Sequence, residues 1–267
     1  MQWSPRITLY AVWFAFLQML LGFALCYSIW VKADCMHFLP FISDLALHGE
    51  MKSVFTVVTL LCGITLGSVG LPSIISARHC LMDIAELSSI WRVINNLLSA
   101  CGICVIIGVL TLSFVPWDCI FWPHIVCAGI IFGGGFWWVI GSAVLSYRFM
   151  AAEKWVLHWN AHAGFRKGQF VVVIVLFCNG LFALFSFCAA VLDDPSMFRL
   201  STLPSEVGIA HDHFQEYCEA RGGWHEEPWV NWVALSEWLY FFCLIAGVVT
   251  STADVYSCNA ANGVLSE

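Results

Sequence analysis

At 267 residues, of which 60% are hydrophobic and only 11% charged, the chain carries less than half the charge of an ordinary soluble domain, about 25%, which excludes water as its main solvent. The net charge of -7, with eight of the eighteen acids gathered between Asp193 and Glu227, excludes the basic surface of a nucleic-acid binder. A mean hydropathy of +0.82 arises from apolar blocks of about twenty residues between short polar gaps, the pattern of a helical membrane protein.

Taken in chain order, Arg6 precedes an apolar run from Leu9 to Trp30. That run is longer than the roughly 7- to 15-residue core of a cleaved signal peptide and lacks a convincing small-x-small cleavage site, so it reads as an uncleaved first span over 8–31. The second span is expected over 54–76, with Gly63 and Gly67 four apart and Pro72 expected to kink or end the helix. The third, 94–114, opens on Asn95 and Asn96. The fourth, 123–146, holds Gly129 and Gly133 four apart and the weak run Gly133-Gly134-Gly135. Both glycine pairs are expected to pack helix on helix within the chain. The fifth, 168–192, follows Arg166 and Lys167 and contains Asn179, and the sixth, 229–253, contains Glu237. Each block is long enough to cross roughly 30 Å of hydrocarbon as a helix. Backbone groups in lipid must be satisfied internally, and the alternating segments of a barrel are missing. The predicted fold is therefore all-α: one transmembrane domain over 1–267, a bundle of six transmembrane helices.

Lys and Arg give the orientation. Arg6, Arg78, Arg92, Arg148, Lys154, Arg166 and Lys167 fall on the side of the termini, against Lys32, Lys52, Arg199 and Arg221 in the longer loops opposite. Seven against four predicts cytosolic N- and C-termini. Trp3, Trp30, Trp117, Trp122, Trp155 and Trp229 sit at predicted boundaries, where indole rings favour the interface. Of thirteen cysteines, only Cys35, Cys119 and Cys218 would face the oxidising side; there is room among them for one disulfide, with one cysteine left over and the pairing open.

Two places could carry chemistry. The first outer loop reads Phe38-Leu39-Pro40-Phe41-Ile42-Ser43-Asp44, then His48-Gly49-Glu50. Its aromatic and proline content suits a short structure at headgroup level, with Ser43 or Asp44 capping a helix or Asp44 and Glu50 forming a functional pair. The second is Glu237, about 12 Å inside the sixth span, where an ionisable group is a functional candidate or a hydrogen-bonding tie to a neighbouring helix. Asn95, Asn96 and Asn179 read as interhelical glue. Arg166 and Lys167 read as positive-inside residues or a site for anionic lipid. His158 and His162, and His211, His213 and His225, lack the ligand sets of a zinc site, so neither a metal nor a cofactor is expected. Asp44, His48 and Glu237 are the groups to test for acid–base work.

The segment from Phe38 to Asp44 with Glu50, Trp159-Asn160 before the fifth span and Ser236-Glu237-Trp238 in the sixth resemble the six-span superfamily of damage-regulated autophagy modulators. That superfamily includes the FGF-receptor-activating protein, the Golgi protein that remodels GPI-anchor lipid, and plasma-membrane regulators of phosphatidylinositol 4-kinase. The family's Pro-Pro-Glu stands here as Leu47-His48-Gly49-Glu50, and the 193–228 loop is longer and more acidic. The resemblance implies a non-enzymatic regulator of autophagy or membrane lipid organisation, in lysosomal, other endomembrane or plasma membranes. Its partners would be membrane lipids and membrane proteins, met through Phe38, Pro40, Phe41, Ser43, Asp44, Glu50, Glu237 and Trp238. The alternative it implies is a lipid-remodelling enzyme or subunit acting on GPI-anchor or phospholipid, with Asp44, His48 and Glu237 as its catalytic groups.

Overall fold

The computed structural model describes residues 4–33, 35, 40–47, 49–116, 120–151, 163–193 and 228–261. Among these the chain is all-helical, and six helices are long and apolar enough to cross a membrane. The first span is α1 (Pro5–Lys32), begun by Ser4, whose Oγ accepts from the Ile7 amide at 3.3 Å, with Pro5 at the first helical position. A 3-10 helix (Ile42–Ala46) leads into the second span: α2 (Gly49–Thr65), a π-helical turn (Leu66–Gly70) and α3 (Leu71–Ile84). Then follow α4 (Ser89–Leu112), α5 (Phe121–Ala151), α6 (Ala163–Asp193) and α7 (Pro228–Ala261).

These helices overrun the hydropathy blocks at most ends, because a helix continues while its backbone is bonded, whatever its side chains. The largest extension is in the second span, which runs from Gly49 to Ile84, and the sixth continues to Ala261. Pro72 does not end the second span. The Leu71 amide bonds back to the Leu66 carbonyl across the wide turn, so the lost donor of Pro72 is absorbed just after an i→i+5 bulge. The three successive glycines leave α5 continuous.

The exterior confirms lipid as the solvent. Leu21, Trp137, Ile174, Phe185 and Leu192 are 60% exposed or more, which water would penalise across so many large side chains. Trp30, expected at an interface, is instead buried against Phe23, Cys26 and Met51 in the core. The sixth span packs on the first, second, fourth and fifth, while the third packs on the second and fourth. Tyr256 near the end of α7 lies within electrostatic reach of Arg6 and Tyr10 near the start of α1. Both termini therefore share one end of the bundle, called here the terminal end; the 3-10 helix lies at the distal end.

Glycines set several close approaches. A Cβ on Gly63 would meet Leu110 at 2.6 Å, and one on Gly67 would meet Ile106 at 2.9 Å, so this pair lets the second span approach the third. Gly129 and Gly133 do not fill the same role: nothing lies within 4 Å of a Cβ at either, and both are exposed. On α5 the packing glycines are Gly135 and Gly141, whose Cβ positions are closed by Leu244 at 2.7 Å and Leu98 at 2.2 Å.

Candidate functional site

At the distal end, the 3-10 helix is drawn into the bundle. Ile42, Asp44, Leu45 and Ala46 are buried, and Leu45 and Met51 pack with Phe23, Phe55 and Trp238. Its entry is held by side chains almost two hundred residues away. Glu237 Oε2 accepts from the Ile42 amide at 2.9 Å, and Trp238 Nε1 donates to the Pro40 carbonyl at 2.8 Å. Asp44 Oδ2 accepts from the Phe41 amide at 3.1 Å. Two carboxylates thus receive two successive backbone N–H groups at the start of a helix, where donors otherwise lack partners and negative charge is favoured.

Most of the residues expected to form a lipid or partner surface are thus turned inward. Pro40, Asp44 and Trp238 are buried, and Phe41, Ser43 and Glu237 are half-buried; Glu50 is exposed. Burial follows from the apolar partners of the loop: a segment reading Ile42, Leu45, Ala46, Leu47 has a face to hide. Phe38 and His48 lie outside the described residues. Cys35 is buried and disulfide-bonded, while Cys119 and Cys218 lie outside the described residues, as do His158, His162, His211, His213 and His225. Among the described residues no group of three His, Cys, Asp or Glu side chains could hold a metal.

Toward the terminal end lies a cluster that sequence reasoning missed. Asp254 is 0% exposed, Arg78 and Arg166 1% each. Arg78 Nε donates to Asp254 Oδ2 at 2.8 Å, and Arg166 pairs with the other oxygen, Oδ1. Arg166 also donates to Ser146 Oγ, and Gln169 Nε2 to Ser251 Oγ at 3.2 Å. One carboxylate therefore ties the second, fourth, fifth and sixth spans together. Arg78 and Arg166 had been counted as loop cations, and Arg166 as a lipid-facing one; both are interior, whereas Lys167 is exposed. Asp254 went unnoticed because the apolar block was closed at Val249 to Ala253. The signal available was an acid in a stretch of mostly small residues without Gly or Pro that carries the helix on to Ala261.

The asparagines divide. Asn179 Nδ2 donates to the Ser236 carbonyl at 2.9 Å, joining fifth and sixth spans, and Asn95 is buried beside His79. Asn96 is exposed and glues nothing.

Between the two polar ends is an apolar chamber of about 110 Å³. The third and sixth spans face one another across it through Val105, Val109, Ile245 and Val248, with Trp138 of the fourth at its wall. Comparison with protein families, curated proteins and solved structures found no match to the chain. The molecule is a multi-pass, six-helix membrane protein whose polar interior is divided between a pinned loop and a buried ion cluster.

Proposed function

We propose that this protein is a non-enzymatic regulator of membrane lipid organisation, oriented with both termini in the cytosol, and that it works by binding lipid or membrane-protein partners. The observation that carries this reading is the use of Asp44 and Glu237. Their oxygens accept from the backbone amides of Phe41 and Ile42, so these acids hold a loop in place instead of facing a substrate. The apolar chamber supports lipid over a polar ligand. The resemblance to autophagy modulators adds autophagy, and lysosomal, endomembrane or plasma membranes, as the setting; with the buried Arg78 and Arg166 set aside, the Lys and Arg tally of five against four leans toward this orientation.

A second reading, a lipid-remodelling enzyme or subunit, has one point in its favour. The two carboxylates converge on neighbouring amides, and acid–base chemistry needs such convergence. One experiment separates the two: lipid profiling and localisation in knockout cells re-expressing the native chain or Asp44→Asn. The regulator reading expects Asp44→Asn, matched for abundance and location, to restore the lipid profile. Failure to restore it at matched abundance would favour the enzyme and overturn the regulator.

A further inference from the structure

The chamber in the middle of the bundle is walled by hydrocarbon. Val12 and Phe16 come from the first span, Leu66 from the π turn, Val105 and Val109 from the third, and Phe241, Leu244 and Val248 from the sixth. Its depth follows from counting turns. Gly102 lies thirteen residues inside α4, Trp138 thirteen from the end of α5 and Val248 thirteen from the end of α7, each about 20 Å from the terminal end at 1.5 Å per residue. That is the hydrocarbon centre, below the level of phospholipid headgroups and esters.

One polar atom breaks the apolar wall. Trp138 is 5% exposed, and its Nε1 has no hydrogen-bond partner. It borders the gap left by Gly102, another lining residue: a Cβ there would stand 3.0 Å from Nε1. The ring itself is fixed from behind, because the Arg78 guanidinium lies 5.4 Å over its face and is held in turn by Asp254. An indole N–H only donates, and an unmet donor in hydrocarbon is costly. The missing partner must then be an acceptor, must be uncharged at this depth with no counter-ion in the wall, and must arrive on an apolar body.

The geometry points to a binding site for a neutral, headgroup-free lipid, one hydrocarbon chain of which lies in the chamber between the third and sixth spans and presents a carbonyl to Trp138 Nε1. A volume of about 110 Å³ holds roughly four water- or methylene-sized groups at about 30 Å³ each. The chamber therefore takes a segment of chain around the carbonyl, and the remainder stays in the bilayer. Neutral acylglycerols can carry an ester to the bilayer centre; phospholipids are tethered at the surface by their headgroups. This site deepens the lipid-binding reading and rests on it only for its biological meaning, since occupancy is measured on purified protein.

The test uses the full chain in phosphatidylcholine nanodiscs with three photoactivatable probes of equal chain length: a diacylglycerol, a phosphatidylcholine and an alkane. The diacylglycerol is expected to label peptides of α4 and α7 at the chamber, in competition with unlabelled diacylglycerol. Ile245→Trp, which fills the chamber, should abolish that labelling. Trp138→Phe keeps an aromatic ring but removes the donor with part of the indole; it should weaken diacylglycerol binding roughly three- to tenfold, while unchanged alkane labelling shows that the loss comes from the donor and not from the altered volume. Thermal unfolding of each variant without probe, matched to the native protein, shows that binding and not folding was altered; should Ile245→Trp fail this, Val248→Phe replaces it. Three results would overturn the site: labelling confined to the lipid-exposed faces, equal chamber labelling by phosphatidylcholine, or diacylglycerol binding indifferent to Trp138→Phe. A chamber that binds with no change of lipid profile in knockout cells would sink the regulatory role alone.

Discussion

The two ends of the bundle bury charge in opposite ways. At the distal end, Glu237 and Asp44 meet backbone amides of a loop, and Glu237 keeps some exposure. In the terminal half, Asp254 meets two guanidiniums from different spans and water reaches none of the three. An acid satisfied by the backbone fastens one segment, whereas an acid satisfied by cations becomes the joint of the helices that carry them. The distal end should therefore fail locally, the terminal cluster globally.

Asp254→Asn tests this most severely. Removing the carboxylate charge leaves Arg78 and Arg166 buried beside each other, and breaking such a pair costs about 3–5 kcal/mol. Thermal unfolding in detergent should show a large loss for the whole protein. A small shift confined to one span would break the contrast between the ends. Glu237→Ala comes next, with about 2 kcal/mol lost through the unmet Ile42 amide, against less for Glu237→Gln, which retains an acceptor. Hydrogen exchange should place that loss at residues 41–47 and leave α4 protected; equal loss in Ala and Gln would instead make charge the essential feature. Trp238→Phe removes the donor to Pro40 together with part of the indole packed on Phe23 and should cost about 1–2 kcal/mol, again read as faster exchange in the loop. The smallest effect is expected for Asp83→Asn. Its 2.6 Å pair with Arg92 also lies at the terminal end, but the two side chains are 65% and 48% exposed, so the loss should stay below about 1 kcal/mol. Equal unfolding curves for Asp83→Asn and Asp254→Asn would show that burial is not what separates the ends.

Sequence made the spans legible because hydropathy depends on composition alone, and all six blocks lie on the helices found. It also singled out Asp44, Glu237 and Trp238 in the two places that meet. Their meeting was not legible: Ile42 and Glu237 are 195 residues apart, and no local pattern encodes such a pairing. The ion cluster escaped for another reason. Arg78 and Arg166 lie near span ends, where a cation in a loop and a cation inside the bundle read alike. Only the partner distinguishes them, and Asp254 stood just beyond the block as drawn. Small-residue spacing misled in the same way, since Gly63 and Gly129 each have a glycine four residues later but only the first faces a neighbour.

The π turn at Leu66–Gly70 acts on the phase of the second span. Before it, the buried positions are Met51, Phe55, Val58, Thr59, Cys62 and Gly63; continued at 3.6 residues per turn, the centre of that stripe would fall about one residue short of the centre of Gly70, Leu71, Ser73, Ile74, Ala77, Arg78, Leu81 and Met82, the positions that are buried after it. The wide turn takes up one surplus residue and lets both halves face inward. A single deletion within 66–70 should thus convert the span to regular helix and leave Arg78 aimed at Asp254. The same deletion within 73–77 would rotate Arg78 by about 100°, out of the cluster and toward lipid. Tolerance to shortening in this helix is concentrated at one turn, so deletions there and a few residues away should have opposite fates.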